Sequence, residues 1–161
     1  MSSIRPATAA DVPLVLSFIK ELAEYEKMSD EVVATEATLT AQMFPKSGEP
    51  SARAILAFED EKPVGFALYF YNFSTFLARR GLYLEDLFVR PEYRGAGYGK
   101  DLLLHLARQA HAEGCGRMEW CVLDWNQPAI DFYQNLGATM MTDWTTCRLD
   151  QTALAKIAAN P

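Results

Sequence analysis

The residues Arg94-Gly95-Ala96-Gly97-Tyr98-Gly99-Lys100 have the composition of an anion cradle. Glycines at alternate positions let backbone N–H groups approach a phosphate closely, and a helix starting there adds the partial positive charge of its N-terminus. The flanking sequence supplies both elements. The apolar run Leu82 to Val89 predicts a strand entering the loop, and the leucine-rich segment Asp101 to Ala112 predicts a helix leaving it. A loop of this kind grips a pyrophosphate, which points to a nucleotide-like cofactor. Two familiar glycine motifs do not fit. A P-loop needs a glycine where Arg94 stands and a Ser or Thr where Asp101 stands. A dinucleotide fingerprint needs its third glycine where Lys100 stands, inside an early βαβ unit. What remains is Arg-x-x-Gly-x-Gly after a strand.

The elements that must position this loop follow from pattern. Ser3 to Ala7 reads as a short edge strand, where Pro6 is tolerable. Thr8 or Asp11 caps a first helix whose buried stripe is Val12, Val15, Ile19 and Leu22. A second helix is expected from about Glu36 to Phe44, followed by a loop from Pro45 to Pro50. Strands follow at Ala52 to Glu59, Val64 to Asn72 and Leu82 to Val89, the first two joined by a turn at Glu59-Asp60-Glu61-Lys62. After the glycine loop and its helix, Met118 to Leu123 reads as another strand. A helix starts at Asn126-Gln127-Pro128-Ala129 and ends near Leu136, with Gly137 as its C-terminal cap. Thr139 to Met141 and Trp144 to Leu149 read as a closing pair of strands, and Thr152 to Ala158 as a terminal helix. An antiparallel meander joined to parallel βα units makes an α/β (α+β) fold: a mixed, mostly antiparallel central sheet with helices on both faces.

Length and composition narrow the function. The 161 residues suit a single domain over the whole chain, and 50% hydrophobic with 22% charged residues is an ordinary globular balance. A net charge of −6 argues against nucleic acid as a partner. No apolar run has membrane-spanning length, and the N-terminal residues do not form a signal peptide, so a cytoplasmic location is expected. Cys115, Cys121 and Cys147 form no CxxC pair, and His105 and His111 lie six apart rather than four. No metal site is expected.

Several short motifs occur in a fixed order: Ile4-Arg5-Pro6-Ala7-Thr8, Lys20-Glu21-Leu22-Ala23 with Tyr25-Glu26, Tyr83-Leu84-Glu85-Asp86, Tyr93-Arg94-Gly95, Trp125-Asn126 and Asp131-Phe132-Tyr133. Together with the glycine loop they resemble the Gcn5-related N-acetyltransferase (GNAT) superfamily, and within it the diamine (spermidine/spermine) N-acetyltransferases, from Ile4 to about Leu149. The resemblance implies transfer of an acetyl group from acetyl-CoA to a primary amine of a small diamine or polyamine by direct attack, without an acyl-enzyme. It implies a homodimer, for which the aromatic strand Tyr69 to Phe73 and the Trp144 segment offer apolar surface.

The implied chemistry sets three demands: remove a proton from the ammonium, stabilise charge on the thioester oxygen, and protonate the departing thiolate. By resemblance, Glu85 is the general base, acting through a water, and its apolar neighbours in the strand are expected to bury it and raise its pKa. Asp86 beside it points to the opposite face unless a bulge intervenes. Tyr133 matches the family's general acid. By the same resemblance, the strand residues Leu87, Phe88 and Val89 are expected to pair with the pantetheine arm, Arg94, Gly95, Ala96, Gly97, Tyr98, Gly99 and Lys100 to hold the pyrophosphate, and Asn126, Gln127, Pro128 and Ala129 to contact the arm. The amine site is assigned to Tyr25, Glu26, Glu85, Asp86, Glu119, Trp120 and Cys121, since carboxylates and aromatic faces suit a cation. Lys27, Arg79 and Arg80 leave open a zwitterionic acceptor, such as a lysine-like amino acid. A non-catalytic acyl-CoA sensor is the rival outside enzymes; it would need neither Glu85 nor Tyr133.

Overall fold

The computed structural model describes residues 2–159. The chain separates into two compact units, Met1–Cys121 and Val122–Pro161. The first holds a five-stranded sheet in the order β1 (Ser2–Pro6), β2 (Arg53–Glu59), β3 (Lys62–Ser74), β4 (Arg79–Val89) and β5 (Met118–Trp120). The first three pairings are antiparallel and β4–β5 is parallel. Helices α1 (Val12–Tyr25), α2 (Glu36–Met43) and α3 (Tyr98–Ala112) belong to the same unit. The mixed, mostly antiparallel sheet expected from the element order is therefore present.

Local chemistry fixes the joints. The Asp11 carboxylate accepts from Thr8 N at 2.7 Å, from Thr8 Oγ1 at 2.8 Å and from both terminal nitrogens of Arg5, which locks the entry to α1. Thr35 and Thr38 exchange backbone-to-hydroxyl bonds of 2.9 and 3.1 Å at the start of α2. The β2–β3 hairpin turns on Asp60 and Glu61, both at positive φ (45° and 70°), the backbone of the two-residue turn that matches strand twist.

Alternation then sorts the sheet into two faces. Phe66 and Leu68 on β3, with Leu56 on β2 and Phe88 on β4, pack against Val15 and Phe18 of α1 and Met43 of α2. Phe18 and Phe66 stack with ring centroids 5.3 Å apart. Tyr69 and Tyr71 are reached from α3, where Gln109 Nε2 donates to their hydroxyls at 2.9 and 3.1 Å. Leu102, Leu103, Leu106 and Ala110 bury the rest of the α3 stripe. Helices thus cover both faces.

The second unit carries α4 (Gln127–Asn135) and α5 (Gln151–Ala158). Gly137, at φ +95°, follows the end of α4 as expected of a capping glycine. One expectation fails here. Residues 139–149 contain no strand, and they are exposed except for Met140, which is half-buried. The Thr- and Trp-rich pattern has strand propensity, but a strand needs a neighbour to bond to. Among the described residues nothing pairs with this segment.

Candidate active site

The glycine loop forms a short cradle between β4 and α3. Gly95 (φ +83°) and Gly97 (φ +94°) adopt a backbone conformation that side-chain-bearing residues rarely take, and a Cβ at either would meet nothing within 4 Å. Glycine is required here by backbone conformation, and the space beside it is open. The first bond inside α3 runs from Asp101 N to Gly97 O at 2.9 Å, so the N–H groups of the preceding turn are the orphans that an anion satisfies. All seven loop residues named from sequence lie in this one segment.

The strand leading to the cradle has an open edge. β5 pairs with β4 only from Leu82 to Leu84, so beyond Leu84 no described strand continues on that side. Glu85 through Val89 therefore offer an extended backbone, running toward the glycines, to which a ligand chain can bond. The cradle and the free edge together fit the pyrophosphate and pantetheine of acetyl-CoA.

At the point where the edge opens, β4 is bulged. Leu68 faces Asp86 but Tyr69 faces Leu84, which leaves Glu85 as the extra residue. Regular alternation is broken, and the two carboxylates are not forced to opposite faces. Their environments differ. Glu85 is exposed, contrary to the burial expected of it, because the bulge lifts it out of the pleat. Asp86 is the half-buried one. Burial first, then the like charges of Glu85 and Glu26, raise its pKa to about 6. Among the described residues, the charged groups that act on Asp86 are both of its own sign.

Glu26 reaches this cluster from the exit of α1. Met28 N donates to Ala23 O at 2.8 Å and Lys27 N to Glu24 O at 3.1 Å, the paired bonds of a left-handed helix stop. Lys27 occupies the left-handed position (φ 60°) that glycine usually fills. Next to Glu26, the Tyr25 ring lies under the Arg94 guanidinium, with Cζ 4.4 Å from the ring centroid.

The remaining assignments divide. Tyr83 pairs across the strands with Glu119, and its hydroxyl is 3.1 Å from Cys121 Sγ. This bond, followed by burial, raises the phenol pKa. Glu119 is already engaged by Arg117 at 2.9 Å. Trp120 pairs with Leu84 and so takes the sheet face opposite to Glu119. In the second unit, Asn126 caps α4 by accepting from Ala129 N at 3.4 Å, with Gln127 and Pro128 in the first turn. Tyr133 is half-buried beside Phe132, and burial raises its phenol pKa.

Sequence reasoning missed the clamp that holds β4 to α1. Arg90 Nε and one terminal nitrogen bond both oxygens of Glu21 at 3.0 and 2.8 Å, and its guanidinium lies 4.8 Å from the Phe18 ring. A signal existed. Phe18, Glu21 and Tyr25 recur at helical spacing, and Arg90 and Arg94 are likewise four apart.

Comparison with known proteins decides the family. Residues 19–138 match the Acetyltransferase (GNAT) family. The chain belongs to this family. It is an N-acetyltransferase of amines, and enzymes of this fold use acetyl-CoA as cosubstrate. It is 34% identical to an L-ornithine N5-acetyltransferase (NATA1) of Arabidopsis thaliana, over 97% of this chain and 87% of the relative. It is 36% identical to a thialysine N-epsilon-acetyltransferase of Sus scrofa, over 96% of each. A spermidine/spermine N(1)-acetyltransferase-like protein 1 of Homo sapiens is 33% identical over 96% of this chain and 23% of the relative.

Proposed function

We propose that this acetyltransferase acts on the side-chain primary amine of a small diamino acid, of ornithine-to-lysine size. The observation that carries the reading is the carboxylate cluster of Glu26, Glu85 and Asp86 where the β4 edge opens. Its charges repel one another, and an ammonium group relieves that repulsion. The names of the ornithine and thialysine relatives, matched over nearly their full lengths, support an amino acid over a polyamine.

In this reading Asp86 and Glu26 hold the ammonium, and Glu85, exposed on the bulge, takes its proton through a water. The freed amine forms a bond to the acetyl carbon as the bond to sulfur breaks. A backbone N–H of the Leu87-Phe88-Val89 edge stabilises the thioester oxygen; the family resemblance assigns protonation of the departing thiolate to Tyr133, and the second proton shed by the nitrogen as it becomes an amide restores the phenol. Gly95 through Lys100 hold the pyrophosphate, and the family resemblance assigns contact with the arm to Asn126 through Ala129. Exposed apolar side chains within each unit, Phe76 and Leu77 in one and Trp144 in the other, support a homodimer.

The test is the position of acetylation. Ornithine and acetyl-CoA are incubated with the enzyme and the product is sequenced by mass spectrometry. Acetyl on the side-chain nitrogen supports the reading; acetyl on the α-nitrogen, or none, removes it.

A further inference from the structure

Arg94 belongs to the cofactor loop by sequence, yet its side chain is spent elsewhere. Its Nε donates to Val89 O at 2.9 Å. Its guanidinium lies 4.4 Å from the Tyr25 ring centroid and 5.5 Å from that of Phe88. Tyr25 is the last residue of α1 and immediately precedes Glu26. The α1 exit turns in a left-handed stop at Lys27 (φ 60°), held by backbone bonds from Lys27 N and Met28 N. Four residues earlier in the chain, Arg90 pairs with Glu21 and anchors the preceding turn of α1 to the end of β4, and Arg94 is the contact at the helix end.

We infer that Arg94 is a positioning residue that couples cofactor occupancy to the amine site. The inference rests on the proposed function and deepens it. The pyrophosphate is gripped by backbone N–H groups of the loop that Arg94 begins. Ordering that loop fixes the Arg94 backbone, which fixes the guanidinium over Tyr25, which holds Glu26 toward Asp86. The coupling is reciprocal, as linkage requires: an amine that orders Glu26 also favours the cofactor-holding loop. A cation stacked on an aromatic at a partly exposed site supports a factor of about three in such coupling.

The test is amide hydrogen exchange in the full chain, with and without coenzyme A, combined with amine kinetics using L-ornithine as the probe. In the wild type, coenzyme A slows exchange at Glu26, Lys27 and Met28 about three-fold or more. In Arg94→Gln, coenzyme A still binds but this slowing is lost, and the KM for ornithine rises while that for acetyl-CoA changes less. Arg94→Lys, which keeps the cation, retains part of the effect. Tyr25→Leu, which leaves the loop intact, loses it in the same way and serves if Arg94→Gln does not fold. Equal slowing in wild type and both variants, or none in a wild type that binds coenzyme A, overturns the inference alone. A wild type that does not bind coenzyme A overturns both it and the proposed function.

Discussion

Replacing Asp86 by Asn should make the protein more stable at neutral pH while disabling it. Asp86 has a carboxyl pKa of about 6 in the fold against 3.8 unperturbed. Its folded-state pKa is raised, so the native state prefers the protonated form. The stability associated with that proton is fully present below pH 3.8 and lost as pH rises through 6. A difference of roughly two units corresponds to ~3 kcal/mol of native-state destabilisation at pH 8. The amide removes the charge but keeps a polar group to satisfy, so the gain should lie between about 1 and 3 kcal/mol. For a chain of this size that is a rise in Tm of roughly 3 to 10 °C. Urea denaturation of both proteins at pH 8 and pH 4 is the assay. The advantage of Asp86→Asn should be clear at pH 8 and about 2.5 kcal/mol smaller at pH 4, where the variant ranges from ~0.5 kcal/mol more stable to ~1.5 kcal/mol less stable. A variant no more stable at pH 8, or equally favoured at both pH values, would refute the argument that Asp86 is held charged at a cost beside Glu26 and Glu85.

Three further outcomes are expected. For the wild type, the apparent KM for ornithine should rise about ten-fold between pH 7 and pH 5 as Asp86, at about 6, takes up its proton; a flat initial-rate profile across that window would separate Asp86 from amine binding. Tyr133→Phe should lower kcat by about 10²-fold or more while leaving acetyl-CoA affinity nearly unchanged, read by steady-state kinetics and equilibrium binding; an unchanged kcat removes Tyr133 as the acid. Lys27→Gly relieves a side chain held at φ 60° and should raise stability by about 0.5–1 kcal/mol in a denaturant titration; a loss would mean the lysine side chain supports the α1 exit.

The conformation of the glycine loop was legible in the sequence because its physics is local. Positive φ is written as glycine, and Gly95 and Gly97 take the conformations their spacing implies. The surroundings of Glu85 and Asp86 depend on pairings that no local pattern encodes. Which carboxylate of Glu85-Asp86 is buried is set by the register with Leu68 and Tyr69 on β3, and the bulge reversed the expectation. The α1 exit was hidden for another reason: Lys27 fills a position whose usual marker is glycine. Residues 139–149 show the limit of strand propensity, since Trp144 to Leu149 has the composition of a strand and no described partner. Trp120 was grouped with Glu119 and Cys121 by sequence adjacency, whereas alternation divides them between faces.

The most direct measurement is kcat/KM from acetyl-CoA-dependent thiol release with ornithine, thialysine and lysine beside putrescine, spermidine and spermine. A preference for the diamino acids of at least ten-fold is the predicted result. A preference for the polyamines would keep the family and the carboxylate cluster but contradict the proposed acceptor.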